Sequence, residues 1–130
     1  MGHPDNLDAA ISNAVVHRLV EHTGKGPTSA RTTIGGDTVL CVVCGTLTKG
    51  EKTLAYSGGQ ADVRRTRDAL NNVMRPKLIA DVQRLTGRKV TALLAAQEVI
   101  PDMASVVFVL EPEDGAADTS PAPPARQSGP

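Results

Sequence analysis

Tryptophan is absent from this 130-residue chain, and its aromatic side chains are Tyr56 and Phe108 alone. Proteins that grip single-stranded nucleic acid stack bases on aromatic rings, and two rings leave little for that. Excess positive charge is missing as well. The 14 Lys and Arg balance 14 Asp and Glu, unlike the basic footprint of a nucleic-acid binder. No apolar run approaches the roughly 18 residues that a membrane span needs. The N-terminus, MGHPDNLDAA, has neither the positive nor the apolar region of a secretory signal. A soluble, cytoplasmic protein is expected.

Cysteine is scarce: Cys41 and Cys44, in the segment CVVC, are the two present, which fits a reducing compartment. Side chains of an extended segment alternate, so a spacing of three puts the thiols on opposite faces of a sheet. A redox CxxC needs a turn or helix start to bring its sulfurs together. A zinc site needs two further ligands at workable spacing, and the histidines are scattered through the N-terminal region. Both cysteines therefore read as small buried hydrophobes, and no metal or cofactor is expected.

Residues 111–130, EPEDGAADTSPAPPARQSGP, hold five of the nine prolines, and alanine is their one apolar type. Such a segment buries too little surface to offset its ordering entropy, so it is expected to be a disordered acidic tail behind a single domain over 1–110. The charge divides along the same line. Residues 1–110 carry a net +3 and the tail a net −3, which allows a loose screening of the body by the tail.

From Asp5 to about Thr23, apolar residues at Leu7, Ile11, Ala14, Val15 and Leu19 predict a helix capped by Asp5 or Asn6. Gly24 stands where a left-handed C-terminal residue belongs, and Pro27 follows. The stretch GKGPTS therefore leaves a helix and enters a strand. A phosphate-gripping loop runs the other way, from strand to helix, and Pro27 lacks an amide donor. The segments TSARTTI and TVLCVVCGTL, rich in β-branched residues, flank GGD and predict a hairpin. In TLTKGEKTL, Thr48 and Glu51 form the T-x-x-E pattern of a capping box, so a short helix is expected from Thr48.

Gly58-Gly59-Gln60 matches the tripeptide with which peptide-release factors position a water. It is three residues long and precedes a strongly helical run, where a Gly-Gly break between helices is needed anyway. That run, Gln60 to about Thr86, has an apolar stripe of Val63, Leu70, Met74, Leu78, Val82 and Leu85. Pro76 removes a hydrogen bond to the Asn72 carbonyl, so a kink or two abutting helices are expected. Arg67 falls inside the stripe, and Arg18 has a similar place on the first helix. Either the long side chain snorkels to water, or it is held near a groove to meet a carboxylate, phosphate or partner. RKVTALLAAQEVI and ASVVFVLE predict two more strands joined by a turn at Pro101-Asp102. In the second, Val106, Phe108 and Leu110 alternate with Val107 and Val109, which marks a strand that is central or covered on both sides. The order α-β-β-α-α-β-β predicts an α+β fold with an antiparallel four-stranded sheet covered by helices.

Five blocks carry a family resemblance: GKGPTSARTTI (24–34), GTLTKGEKTL (45–54), Val63 to Arg67, LTGRKV (85–90) and PDMASVVFVLE (101–111). Together they resemble the MpsC-like family of small bacterial domains, part of a sodium-translocating, membrane-potential-generating system. Cys44 and Pro76 depart from the family pattern, and the acidic tail lies outside it. A domain of this size without a span cannot itself move sodium through a bilayer. The resemblance thus implies an accessory or regulatory piece of an ion or bicarbonate uptake machine, and it carries no catalytic residues. The expected partners are a membrane transporter subunit and a second copy, in a homodimer formed through an exposed sheet face or strand edge. The basic residues in or beside the blocks, Lys25, Lys49, Lys52 and Arg67, are the candidates for partner or anion binding. Nucleic-acid binding through RRTR (64–67) and GRK (87–89) is the alternative, and a small hydrolase using GGQ or a thiol comes third.

Overall fold

The computed structural model describes residues 6–112. Over them the chain forms α1 (Leu7–Thr23), β1 (Ser29–Gly35), β2 (Thr38–Cys44), α2 (Lys49–Ala55), α3 (Gln60–Thr86), β3 (Val90–Glu98) and β4 (Met103–Leu110). The expected element order and class are present. All neighbouring strands are antiparallel, in the spatial order β1-β2-β4-β3. The last strand in sequence is therefore central, as its apolar alternation on both faces requires.

Alternation divides the sheet into two unlike faces. Val39, Cys41 and Val43 of β2, Leu93 of β3, and Phe108 and Leu110 of β4 are buried with Leu7, Ile11, Val15 and Leu19 of α1 and Met74, Leu78 and Val82 of α3. The helix α1 packs on β1, α3 packs on β3, and the two helices touch each other. Both thus lie on the same face. Phe108, the one phenylalanine, is fully buried between its cross-strand neighbours Val39 and Leu93. Each such large side chain contributes about 1.5–3 kcal/mol by leaving water. Cys41 is buried in this core and Cys44 is on the opposite face, half-buried.

Local chemistry sets most of the boundaries. Gly24 ends α1 in the left-handed region, its amide donating to Val20 O. Thr48 and Glu51 form the complete capping box of α2. Asn6 does occupy the N-cap position of α1, but its side chain makes no capping bond; Asp5 lies outside the described residues. The helix α3 is one continuous element of 27 residues through Pro76, not two abutting helices. Pro76 is on the solvent side with Asn72, so water can satisfy the carbonyl that loses its amide partner. The tail falls outside the described residues except for Glu111 and Pro112. Glu111 is anchored, its amide donating to Lys89 O and its carbonyl accepting from Arg88.

Gly45, which follows β2, is the tightest backbone position. Its φ is +69°, and a Cβ there would stand 2.7 Å from Thr28 Cγ2. Gly45→Ala combines left-handed strain with a steric clash and is expected to destabilise the fold by about 2 kcal/mol or more. Gly35→Ala, where a Cβ meets open space, should change stability by under about 1 kcal/mol. Urea unfolding of the two variants checks the contrast.

Candidate functional site

Thr46 and Leu47, just after β2, are buried although they belong to neither helix nor strand. A buried loop must find partners for its amides and carbonyls, and here they come from charged side chains on three distant segments. The Asp102 carboxylate accepts from Thr46 N at 2.9 Å, Thr46 Oγ1 at 3.1 Å and Leu47 N at 3.0 Å. Lys25 Nζ donates to Gly45 O at 2.5 Å and Gly26 O at 3.1 Å. Arg67 Nη2 donates to Thr46 O at 2.6 Å.

Arg67 also closes the ion pair at the centre of this cluster. Its Nε donates to Glu51 Oε2 at 2.9 Å and its Nη2 to Glu51 Oε1 at 2.7 Å. The same Oε1 accepts the Thr48 amide at 2.8 Å, which completes the capping box of α2. One carboxylate therefore both starts α2 and fixes it to α3. At 2 % exposure, Arg67 does not snorkel; it meets a carboxylate of its own chain in the forked geometry that guanidinium favours. Its Nη1 has no hydrogen bond to protein among the described residues. A cavity of about 30 Å³ beside it, lined also by Leu19, Cys41, Met74 and Val106, has room for about two water molecules.

The blocks quoted for the family resemblance meet here. Lys25, the 45–51 loop, Arg67 and Asp102 come from four of them. Arg88 of the fifth binds Asp37, Gly36 O and Glu111 O, which ties the hairpin turn to the end of β4. Of the four candidate residues, Lys25 and Arg67 are committed to backbone and carboxylate acceptors inside the fold. Lys49 and Lys52 are exposed on α2 and join no ion pair among the described residues. Leu54 and Tyr56 are exposed beside them, Tyr56 at 75 %. Neither is among the candidates read from sequence, where Tyr56 counts only as one of two aromatics, although a lone tyrosine next to a short basic helix is a visible signal.

Gly58 and Gly59 form the α2–α3 junction. Gly58 has φ +92°, and a Cβ on Gly59 would stand 2.6 Å from the Leu54 side chain. Gln60 is the first residue of α3 and is exposed. Burial pushes the Cys41 thiol above its usual range, which makes it a poor nucleophile. Among the described residues no group of three or more His, Cys, Asp or Glu side chains is placed to hold a metal ion.

A second ionic staple joins α1 to α3. Arg18 donates to Asp81 through Nε at 2.8 Å and Nη2 at 2.9 Å and reaches Glu21 at 3.0 Å. Asp81 is buried, and no apolar periodicity could have placed it there.

Burial pushes the Glu51 carboxyl up. The Arg67 hydrogen bonds and charge, with the Thr48 amide, outweigh that and hold it below the ordinary range near 4.5. The native state is therefore favoured in full above that range, and the contribution is lost as pH falls through the depressed value. Arg67→Met leaves Glu51 and Thr46 O without their partner and is expected to lose about 3 kcal/mol. Glu51→Gln should reduce the acid sensitivity of unfolding between about pH 5 and 3. Urea midpoints measured across that range check both.

No curated protein and no solved structure matches the chain. Residues 4–112 match the family described as Na+-translocating membrane potential-generating system (MpsC). The match covers nearly all of the chain outside the acidic tail, and the chain belongs to the MpsC family.

Proposed function

We propose that this protein is a non-enzymatic cytoplasmic accessory or regulatory component of a sodium-linked membrane-potential-generating system, acting as a homodimer. The observation that carries the reading is the rigid presentation of α2. A helix of seven residues is too short to be stable alone, yet Glu51, Arg67 and the loop held by Asp102 fix it to the body. Lys49, Lys52 and Tyr56, spaced i, i+3 and i+7, then face outward together as a small basic and aromatic platform. Its chemistry suits an acidic protein surface, with tyrosine as the apolar anchor.

The family description supplies the membrane system. Among the described residues no helix is long and apolar enough to cross a membrane, so the proposal gives the sodium pathway to a partner chain. The arginines of RRTR give no support to nucleic-acid binding. Arg64 donates to Gln97 O, Arg65 to Asp62 at 2.7 Å and Arg67 to Glu51.

Pull-down from detergent-solubilised membranes tests this, with wild type against Lys49→Glu/Lys52→Glu. Retention of a membrane protein should fall at least about tenfold in the double variant and weaken with added salt, while the melting temperature is unchanged. Equal retention by both proteins, or recovery of RNA in place of a membrane protein, would contradict the proposal.

A further inference from the structure

The face of the sheet opposite α1 and α3 carries an apolar patch over β2, β4 and β3, while β1 adds Ser29, Arg31 and Thr33 and β4 adds Ser105. Ladder register and alternation place Leu40 and Val42 of β2, Leu94 of β3, and Val107 and Val109 of β4 on it. Leu40, Val107 and Leu94 are direct cross-strand neighbours and form one apolar row over three strands. Leu94 is 59 % exposed, and among the described residues no helix packs on this side. A solvated face of an antiparallel sheet ordinarily carries polar residues at these alternate positions. Here the charges are confined to the two edges, Arg31 on β1 and Glu98 on β3.

We infer that this face is the interface of a homodimer in which two copies stack sheet on sheet about a two-fold axis running along the strands. The inference rests on the homodimer reading above and names its surface. A two-fold interface must be complementary to itself. An axis along the strands lays β1 of each copy over β3 of the other and brings the apolar rows of β2 and β4 together. It also places Arg31 one row from Glu98 of the second copy, about 7 Å along the strand, within reach of an arginine side chain. An axis across the strands would instead set Arg31 against Arg31, which is repulsive.

Both partners in that contact have capacity for it. Arg31 joins no ion pair among the described residues. Glu98 uses one oxygen in a 3.3 Å contact with Arg64, which leaves the other open. Four strands about 4.8 Å apart and seven residues at about 3.4 Å each give a footprint on the order of 450 Å². Side-chain relief raises the accessible area above this projection, toward the lower end of specific interfaces. Strand addition at β3 is obstructed, because Arg75 takes Leu93 O and Arg64 takes Gln97 O on that edge. The edge of β1 is the rival contact.

Sedimentation equilibrium of the full chain tests the inference, with Leu94→Glu, Arg31→Glu, Arg31→Glu/Glu98→Arg and the control Val73→Glu, an exposed residue of α3. Wild type and the control should be dimers. Leu94→Glu should raise the dissociation constant at least tenfold, and Arg31→Glu should raise it severalfold, with recovery in the double variant. Thermal melting verifies that each variant folds, and Arg31→Glu, at an exposed edge, keeps the test valid if Leu94→Glu does not. A monomeric wild type, or a Leu94→Glu protein that stays dimeric as pairing through β1 predicts, would overturn it. A monomer that still retains membrane protein through Lys49 and Lys52 removes the dimer and leaves the accessory role standing; a dimer that retains none does the reverse.

Discussion

The ion pair of buried Arg67 with half-buried Glu51 is the contact that links the loop, the short helix and the long helix. A buried charge is tolerable only when its donors and acceptors are matched, and this pair is matched on several sides. Glu51 accepts from Arg67 and from the amide that opens α2, while Arg67 donates onward to Thr46 O. Asp102 satisfies the amides of the same loop from the turn between β3 and β4. The two hairpins of the sheet are thereby joined at one end by charged hydrogen bonds as well as through the ladder of β2 and β4. At the other end, Arg88 binds Asp37 in the first hairpin turn and Glu111 just after β4.

Much of the scaffold was legible in the sequence because it rests on local rules. The Gly24 cap, the Thr48–Glu51 capping box, the turn after β1 and the two-sided apolar pattern of β4 each follow from a few neighbouring residues. The site was legible only in part. Arg67 stood out because it interrupts an apolar stripe, but its partner is sixteen residues away across a glycine turn. Asp102 looked like a turn residue, and its second role depends on a loop more than fifty residues earlier. Asp81 gave no signal, since a carboxylate is buried only when tertiary structure brings it an arginine. At Pro76 the sequence left open a kinked helix or two abutting ones, and α3 runs through as one element: a proline break is strong in a buried helix interior and mild where water reaches the freed carbonyl.

Charge is used differently inside and outside this protein. Arg18, Arg64, Arg67, Arg75 and Arg88 are directed at carboxylates or carbonyls of the chain itself. That leaves few free cationic sites among many arginines. Outward and without an ion pair among the described residues are Arg31, Lys89 and the two lysines of α2, which lie near Tyr56. The lysines of α2 and the apolar part of the sheet lie on separate elements, so the two proposed contacts do not compete for one surface. Membership of the MpsC family gives that proposed division a setting.

The Arg67–Glu51 pair is expected to make the 45–51 segment as stable as the core. Native-state hydrogen exchange at the amides of Thr46, Leu47 and Thr48 tests it most directly. Protection should equal that of β2 and β4, with exchange through global unfolding alone. Exchange about a hundredfold faster than in those strands, by local opening, would show that the ion pair is an ornament on the fold and not its anchor.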